Sequence, residues 1–282
     1  MDGSPWRFPP AAPRGPWSRF TWQLGIYGAY FAQFVKSRLA YRVDFFIDTL
    51  AISFSILVQM AVLTALFAKV KALQGWRFEE VLFIYGFSLV PLGLFNLISV
   101  NLYRFGDDYI VQGKLDRVLL RPVGTLTQVL CESFNVSGLN EIVLGTAVMI
   151  YAGLELGLTL GVDDVLGLAV LGPAAALIYT GVFLAITSVT FWAEDRMGLA
   201  PPVYNVIRFS RYPMTIYSLP VRIFLTFVLP FAWVAFYPAT WFLGSPGFKH
   251  LALLTPGVGL IVFGGAVAIW KKGIRRYAST GS

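Results

Sequence analysis

The sequence predicts an all-α integral membrane protein with six transmembrane segments, an N-terminal amphipathic interfacial helix and, in one reading, re-entrant helices before the last span. Three observations predict it. The 282 residues are 57% hydrophobic and only 13% charged, against roughly 25% charge in a soluble domain. The apolar residues gather in runs near the ~20 residues that a helix needs to cross hydrocarbon. The basic residues gather between alternate runs: of 22 Lys and Arg, 18 fall on one side and four on the other when six spans are threaded. That asymmetry is the positive-inside pattern and places both termini in the cytoplasm.

The same composition excludes several chemistries. Cys131 is the only cysteine and His250 the only histidine, so the chain has no intramolecular disulfide and no Cys/His metal cluster. No GxxxxGK[ST] loop is present, which removes ATP binding by that motif. The net charge of +7 comes from Lys and Arg beside the apolar runs. It is a topology signal, and no nucleic-acid partner is expected.

Taken in order, residues 1–16 contain five prolines and no apolar core. They read as a disordered cytoplasmic tail, with neither the composition of a signal peptide nor that of a folded segment. Residues 17–42 place Phe20, Leu24, Tyr27, Phe31 and Phe34 on one helical face, with Arg19, Lys36, Arg38 and Arg42 supplying the basic side. This is the pattern of an interfacial helix. The transmembrane permease-like region then occupies 43–276, with spans near 45–68, 81–103, 133–154, 165–193 and 251–270. The third is the weakest because Glu141 lies within it. The remaining span has two placements. Hydropathy favours 223–243, although Pro230 and Pro238 interrupt that stretch; the alternative is 197–216, against which Arg208 counts. The last span ends in Trp270-Lys271-Lys272, an aromatic and basic anchor.

The stretch QGKLDRVLLRP, residues 112–122, carries Lys114, Asp116, Arg117 and Arg121 between two long apolar runs. It cannot lie in hydrocarbon. Its pattern is a short amphipathic helix closed by Pro122, because the residue before a proline is driven from helical torsions. Leu115, Val118 and Leu119 have the three-and-four spacing of a helix that docks in a groove, and they are expected to supply packing against a soluble partner. The alternative is that they face the lipid interface. Asp107-Asp108 reads as a solvated loop face or a helix N-terminal charge, and Asp163-Asp164 as the cap of the fourth span. Glu141 is a candidate intramembrane site, since a carboxylate in a span is costly. It could also be a structural group bonded to Asn140, Ser137 or another subunit. Trp76, Tyr103, Trp192, Trp233, Tyr237, Trp241 and Trp270 read as interfacial belt anchors.

LAYRVDF (39–45), GKLDRVLLRPV (113–123), RYPMTIY (211–217) and VLPFAWVAFYPATWFLG (228–244) resemble the permease subunit of a bacterial type-2 ABC exporter family, over about residues 20–278. The resemblance implies a translocation path in the bacterial inner membrane, with no catalytic residue and no cofactor of its own. It implies two ATP-binding-cassette ATPase subunits that hold ATP and Mg, and a second permease, identical or a sister. It makes the loop 105–121 a coupling helix, with Gly113, Lys114, Leu115, Asp116, Arg117, Val118, Leu119, Arg121 and Pro122 as coupling residues. It also makes 197–216 the fifth span and 219–243 a re-entrant hairpin. The rival reading from the residues alone is an ion-gradient-driven secondary transporter or channel, which would need a network of intramembrane charge around Glu141.

Overall fold

The computed structural model describes residue 25 and residues 42–277, apart from 122, 133, 160, 194–197 and 245–246. The tail expected over 1–16 and nearly all of the interfacial helix expected over 17–42 lie outside the described residues, as does Pro122. Among the described residues the elements are helical, and the only strand-like feature is an isolated bridge between Leu73 and Trp76.

Five helices are long and apolar enough to cross a membrane. Helix α1 is Arg42–Phe67 and α2 is Phe78–Ser99, the latter continuing through a 3-10 turn (Val100–Leu102) and a π-helix (Gly106–Val111). Two short helices follow, α3 (Lys114–Leu119) and α4 (Thr125–Cys131). Next come α5 (Ser137–Glu155) and α6 (Val162–Ala193). Then α7 (Ala200–Val206) runs on as 3-10 helix over Ile207–Arg211. A hairpin holds α8 (Leu219–Ile223) and α9 (Phe236–Phe242), and α10 (Lys249–Ala252) leads into α11 (Thr255–Ile274). We call the end of the bundle that carries residues 100–132 basal, and the end that carries 68–77 distal.

Local chemistry sets several boundaries. The Arg77 backbone N–H donates to Glu80 at 2.8 Å, a reciprocal cap that starts α2. The Gly161 N–H donates to Asp164 Oδ2 at 2.9 Å, so the acidic pair does stand at the start of α6. Asn135 Oδ1 accepts the Ser137 N–H at 3.1 Å where α5 begins. Helix α5 thus begins four residues later than the expected span, and Glu141 is only four residues, or ~6 Å, from its basal end.

Small residues bring the helices together. A Cβ at Gly86 of α2 would lie 2.7 Å from the Met149 backbone nitrogen, and one at Gly145 of α5 would lie 2.6 Å from Leu89 Cβ. Gly93 and Gly138 face each other one heptad further toward the basal end and are closed to a Cβ by each other's carbonyl. Two glycines seven residues apart on each helix therefore make one seam, in which lipid is excluded and van der Waals contact is gained backbone to backbone. Helix α11 meets α6 in the same way, where a Cβ at Gly181 would lie 2.9 Å from Phe263 Cα.

The stretch 200–242 holds both placements of the remaining span. No single helix covers 223–243: Leu219–Val228 and Phe231–Phe242 meet at a 76° bend. Pro230 sits at the break and supplies no N–H to bridge it. The straight span that hydropathy favours is therefore corrected to a broken pair. Residues 200–216 also run from the basal to the distal end of the bundle. Tyr204 stacks edge-on against Tyr103 at the basal end. Ser210 pairs with Tyr179 at 3.1 Å, near the middle of α6. Thr215 accepts the Trp76 indole N–H at 2.7 Å at the distal end. With this path Arg208, Arg211 and Arg222 leave the set of inner-loop basic residues, and the charge asymmetry is smaller than the threading over 223–243 counts.

The belt reading of the aromatics is also corrected. Trp270, Tyr237, Trp76 and Trp233 are buried and pack against other rings: Trp76 on Phe236, Trp233 on Tyr237, and Trp270 on Phe105 and Phe191. Trp192, 49% exposed, keeps the geometry of an anchor.

Candidate functional site

The basal loop is a braced structure. At Gly113 the backbone turns with φ 66°, a left-handed conformation that glycine adopts without steric cost, and this turn separates the π-helix from α3. Asp108 binds Arg104 and Lys114, each at 3.6 Å, so Lys114 is turned back onto the loop. Such partly exposed pairs orient more than they stabilise, at about 1 kcal/mol or less. Asp116 accepts the Tyr277 hydroxyl at 3.1 Å, which ties α3 to the chain just after α11. The amide nitrogen of buried Gln128 donates to the Val118 carbonyl at 3.0 Å and the Val123 carbonyl at 2.7 Å. That fastens the end of α3, and the turn that follows it, to α4. Tyr109 donates to Glu132 across the loop.

Burial corrects the face assigned to α3. Leu115 and Val118 are 0% and 5% exposed, so they fasten the helix to its own bundle and offer nothing to a partner. Leu119 is 42% and Leu120 86% exposed, and Val111 is exposed beside them. Arg117 and Arg121 are on the surface too. Leu115 and Val118 belong to the buried core cluster that also holds Phe105, Tyr109 and Trp270, an aromatic core at the basal end. The rings of Phe105, Tyr109, Phe191, Trp270 and Tyr277 form that core, with centroids 5.0 to 6.3 Å apart. The Tyr277–Asp116 hydrogen bond joins α3 to these rings.

Glu141 is not solitary. Its Oε2 accepts the Asn96 amide at 2.7 Å, and the same amide lies 3.3 Å from the Tyr204 hydroxyl. The partners expected nearby in sequence do other work: Asn140 donates to Thr49 at 2.8 Å, on the α1 side. The cluster Glu141–Asn96–Tyr204 joins α5, α2 and α7 near the basal end. A carboxyl oxygen there is met by a donor, which is the condition for keeping a polar group among apolar helices. Glu141→Gln leaves an acceptor for Asn96 at the same reach. The expected result is normal assembly and a fall in transport of less than about tenfold, ~1.4 kcal/mol of barrier. Full loss of transport by an assembled complex would instead assign Glu141 to proton or substrate handling.

Further along the same crossing, Arg211 donates to Gln59 of α1 and lies over the Tyr85 ring, 5.8 Å from its centroid. Sequence reasoning missed Asn96, Gln128, Tyr204 and Tyr277. Each is single, has no motif around it, and gains its role from a residue five or more positions away.

Among the described residues no group of three or more metal-ligating side chains is present. Braced basal loop, glycine-seamed helices and a broken distal hairpin together define an all-α, multi-spanning membrane protein. The sequence model described as ABC-2 family transporter protein matches residues 54–281. The chain belongs to that family, and it is a membrane permease component of an ABC transporter. No curated protein and no solved structure matches the chain.

Proposed function

We propose that this chain is the path-forming half of an exporter in the bacterial inner membrane, with both termini cytoplasmic, and that α3 couples it to a separate ATPase. The observation that carries the reading is the two-faced α3. Leu115 and Val118 are locked inside while Leu119, Leu120, Arg117 and Arg121 project from the basal end. A helix held rigidly by its inner face and apolar on its outer edge suits a groove on a soluble partner. ATP and Mg belong to that partner. Closure of two ATPase subunits moves α3, and the ring core carries the motion to α6 and α11. A second permease, identical or a sister, completes the path. No residue of this chain performs hydrolysis.

Two measurements test this. The ATPase subunit co-expressed with the permease remains bound through purification, and the complex hydrolyses ATP; a permease that retains no ATPase rules the coupling reading out. For orientation, single cysteines are placed at Ala72 and Ser279 in a Cys131→Ser background. Gly75, with φ 89°, is a poorer probe position because any side chain is strained there. Ala72→Cys reacts with an impermeant maleimide on intact cells and Ser279→Cys reacts only after lysis. The reverse pattern overturns the orientation.

A further inference from the structure

Side chains 11 apart on an α-helix are turned only ~20° from one another. Tyr85 and Asn96 of α2 have that spacing, so they share one face, ~16 Å apart along the axis. Each receives a charged side chain from another segment. Asn96 donates to Glu141 of α5, and Arg211 of the 200–216 stretch lies over the Tyr85 ring. The same stretch supplies Tyr204, whose hydroxyl lies 3.3 Å from the Asn96 amide. It therefore runs from the Glu141 cluster at Tyr204 to the cation at Arg211. Tyr85, Tyr179 and Tyr204 each lie within electrostatic reach of both charges. Arg211 is also the cation that acts on the Glu141 carboxylate. The two groups are not in contact, since the ion pairs within 4 Å among the described residues are those of Asp108 with Arg104 and Lys114. The nearer partners of Arg211, Gln59 and Tyr85, are uncharged.

The Asn96 amide satisfies one carboxyl oxygen of Glu141 and leaves its charge unbalanced. Charges inside a membrane protein are kept where an opposite charge faces them. Attraction between unlike charges falls only with the first power of their separation, and salt screens buried groups little, so contact is not required. We infer that Arg211 is the counter-charge of Glu141, and that this longer-range pair holds the 200–216 stretch against α2 and α5. Glu141 is then a fixed anion that positions this stretch, and Arg211 is a positioning residue with its charge as the working part. Gln59 and Tyr85 aim the guanidinium, and Asn96 aims the carboxylate. The pairing goes beyond the reading of the chain as an exporter and does not depend on it.

The test is the melting temperature of the purified full-length protein in detergent, read from the monodisperse size-exclusion peak that survives heating. Arg211→Gln can still hydrogen-bond to Gln59 but has no charge, whereas Arg211→Lys keeps the charge. With Glu141 in place, Arg211→Gln lowers the melting temperature by about 5 °C, the size expected for a lost charge pair in a partly screened interior. Arg211→Lys recovers at least half of that loss. In a Glu141→Gln background the advantage of Arg211→Lys over Arg211→Gln disappears, because the charge it retains has no partner. An advantage of the same size in both backgrounds, or none with Glu141 present, overturns the pairing. If Arg211→Gln yields no folded protein, the double variant Arg211→Gln/Glu141→Gln decides. Recovery of folded protein supports the pair, and continued loss overturns it. The measurement needs neither ATP nor an ATPase subunit, so its failure is separate from failure of the coupling reading.

Discussion

Leu119→Asp and Leu120→Asp are expected to release the ATPase subunit while leaving the permease folded and inserted. Both side chains are exposed, at 42% and 86%, so a carboxylate at either position is solvated in the free permease. In the proposed complex it would be buried against an apolar groove. Replacing an interface anchor costs ~2 kcal/mol or more, about a thirtyfold loss of affinity. Pull-down of the ATPase subunit at graded concentrations reads this directly. The control is Leu115→Asp. That side chain is fully buried, and an unpaired charge there unfolds the loop, so this variant loses accumulation as well as partner. If Leu120→Asp and Leu119→Asp both bind and couple the ATPase as the wild type does, α3 is not the coupling element.

The second large effect is expected in the α2–α5 seam. Gly93→Leu and Gly138→Leu each drive a side chain into the facing helix's backbone, which has no rotamer with which to give way. Overpacking of a filled core typically costs 1–3 kcal/mol. Here the helices must part along their length, and ~3 kcal/mol or more is expected, with loss of the folded protein from the detergent-soluble fraction. Gly93→Ala falls between wild type and Gly93→Leu. Gly264→Ala, on α11, meets nothing within 4 Å, and it leaves the melting temperature unchanged or raises it, since alanine is the better helix former by about 1 kcal/mol. A Gly93→Leu protein as stable as the wild type would show that the seam opens freely.

Much of the fold is legible in the chain because hydrocarbon is a one-dimensional filter. A run such as 165–193 has no charge and exceeds the length of a span, so its helix follows from the cost of unpaired backbone in lipid. The position of α3 is readable for the converse reason: Lys114, Asp116, Arg117 and Arg121 cannot be buried in lipid. The Gly113 turn and the amphipathic LDRVLL pattern are local too.

Hydropathy misses the bend within 223–243 because it sums transfer energies and takes no account of partners. It favours 223–243 for lacking charge and counts Arg208 against 197–216. In the folded chain, Pro230 breaks the uncharged stretch, and Trp76, Tyr179 and Tyr204 hold the charged one across the bundle. The same limit applies to which leucines face out. Leu115 and Leu119 are both apolar residues of one short helix, and periodicity puts them with Val118 on a shared side. Only packing within the assembled core decides that Leu115 goes inward while Leu119 stays exposed. By itself, the sequence determined that this chain lies in a membrane as helices and that residues 112–122 do not. Tertiary structure alone decided how 200–242 is braced against the bundle, what bonds Glu141, and which edge of α3 is free, because each depends on side chains that approach only after the helices have packed.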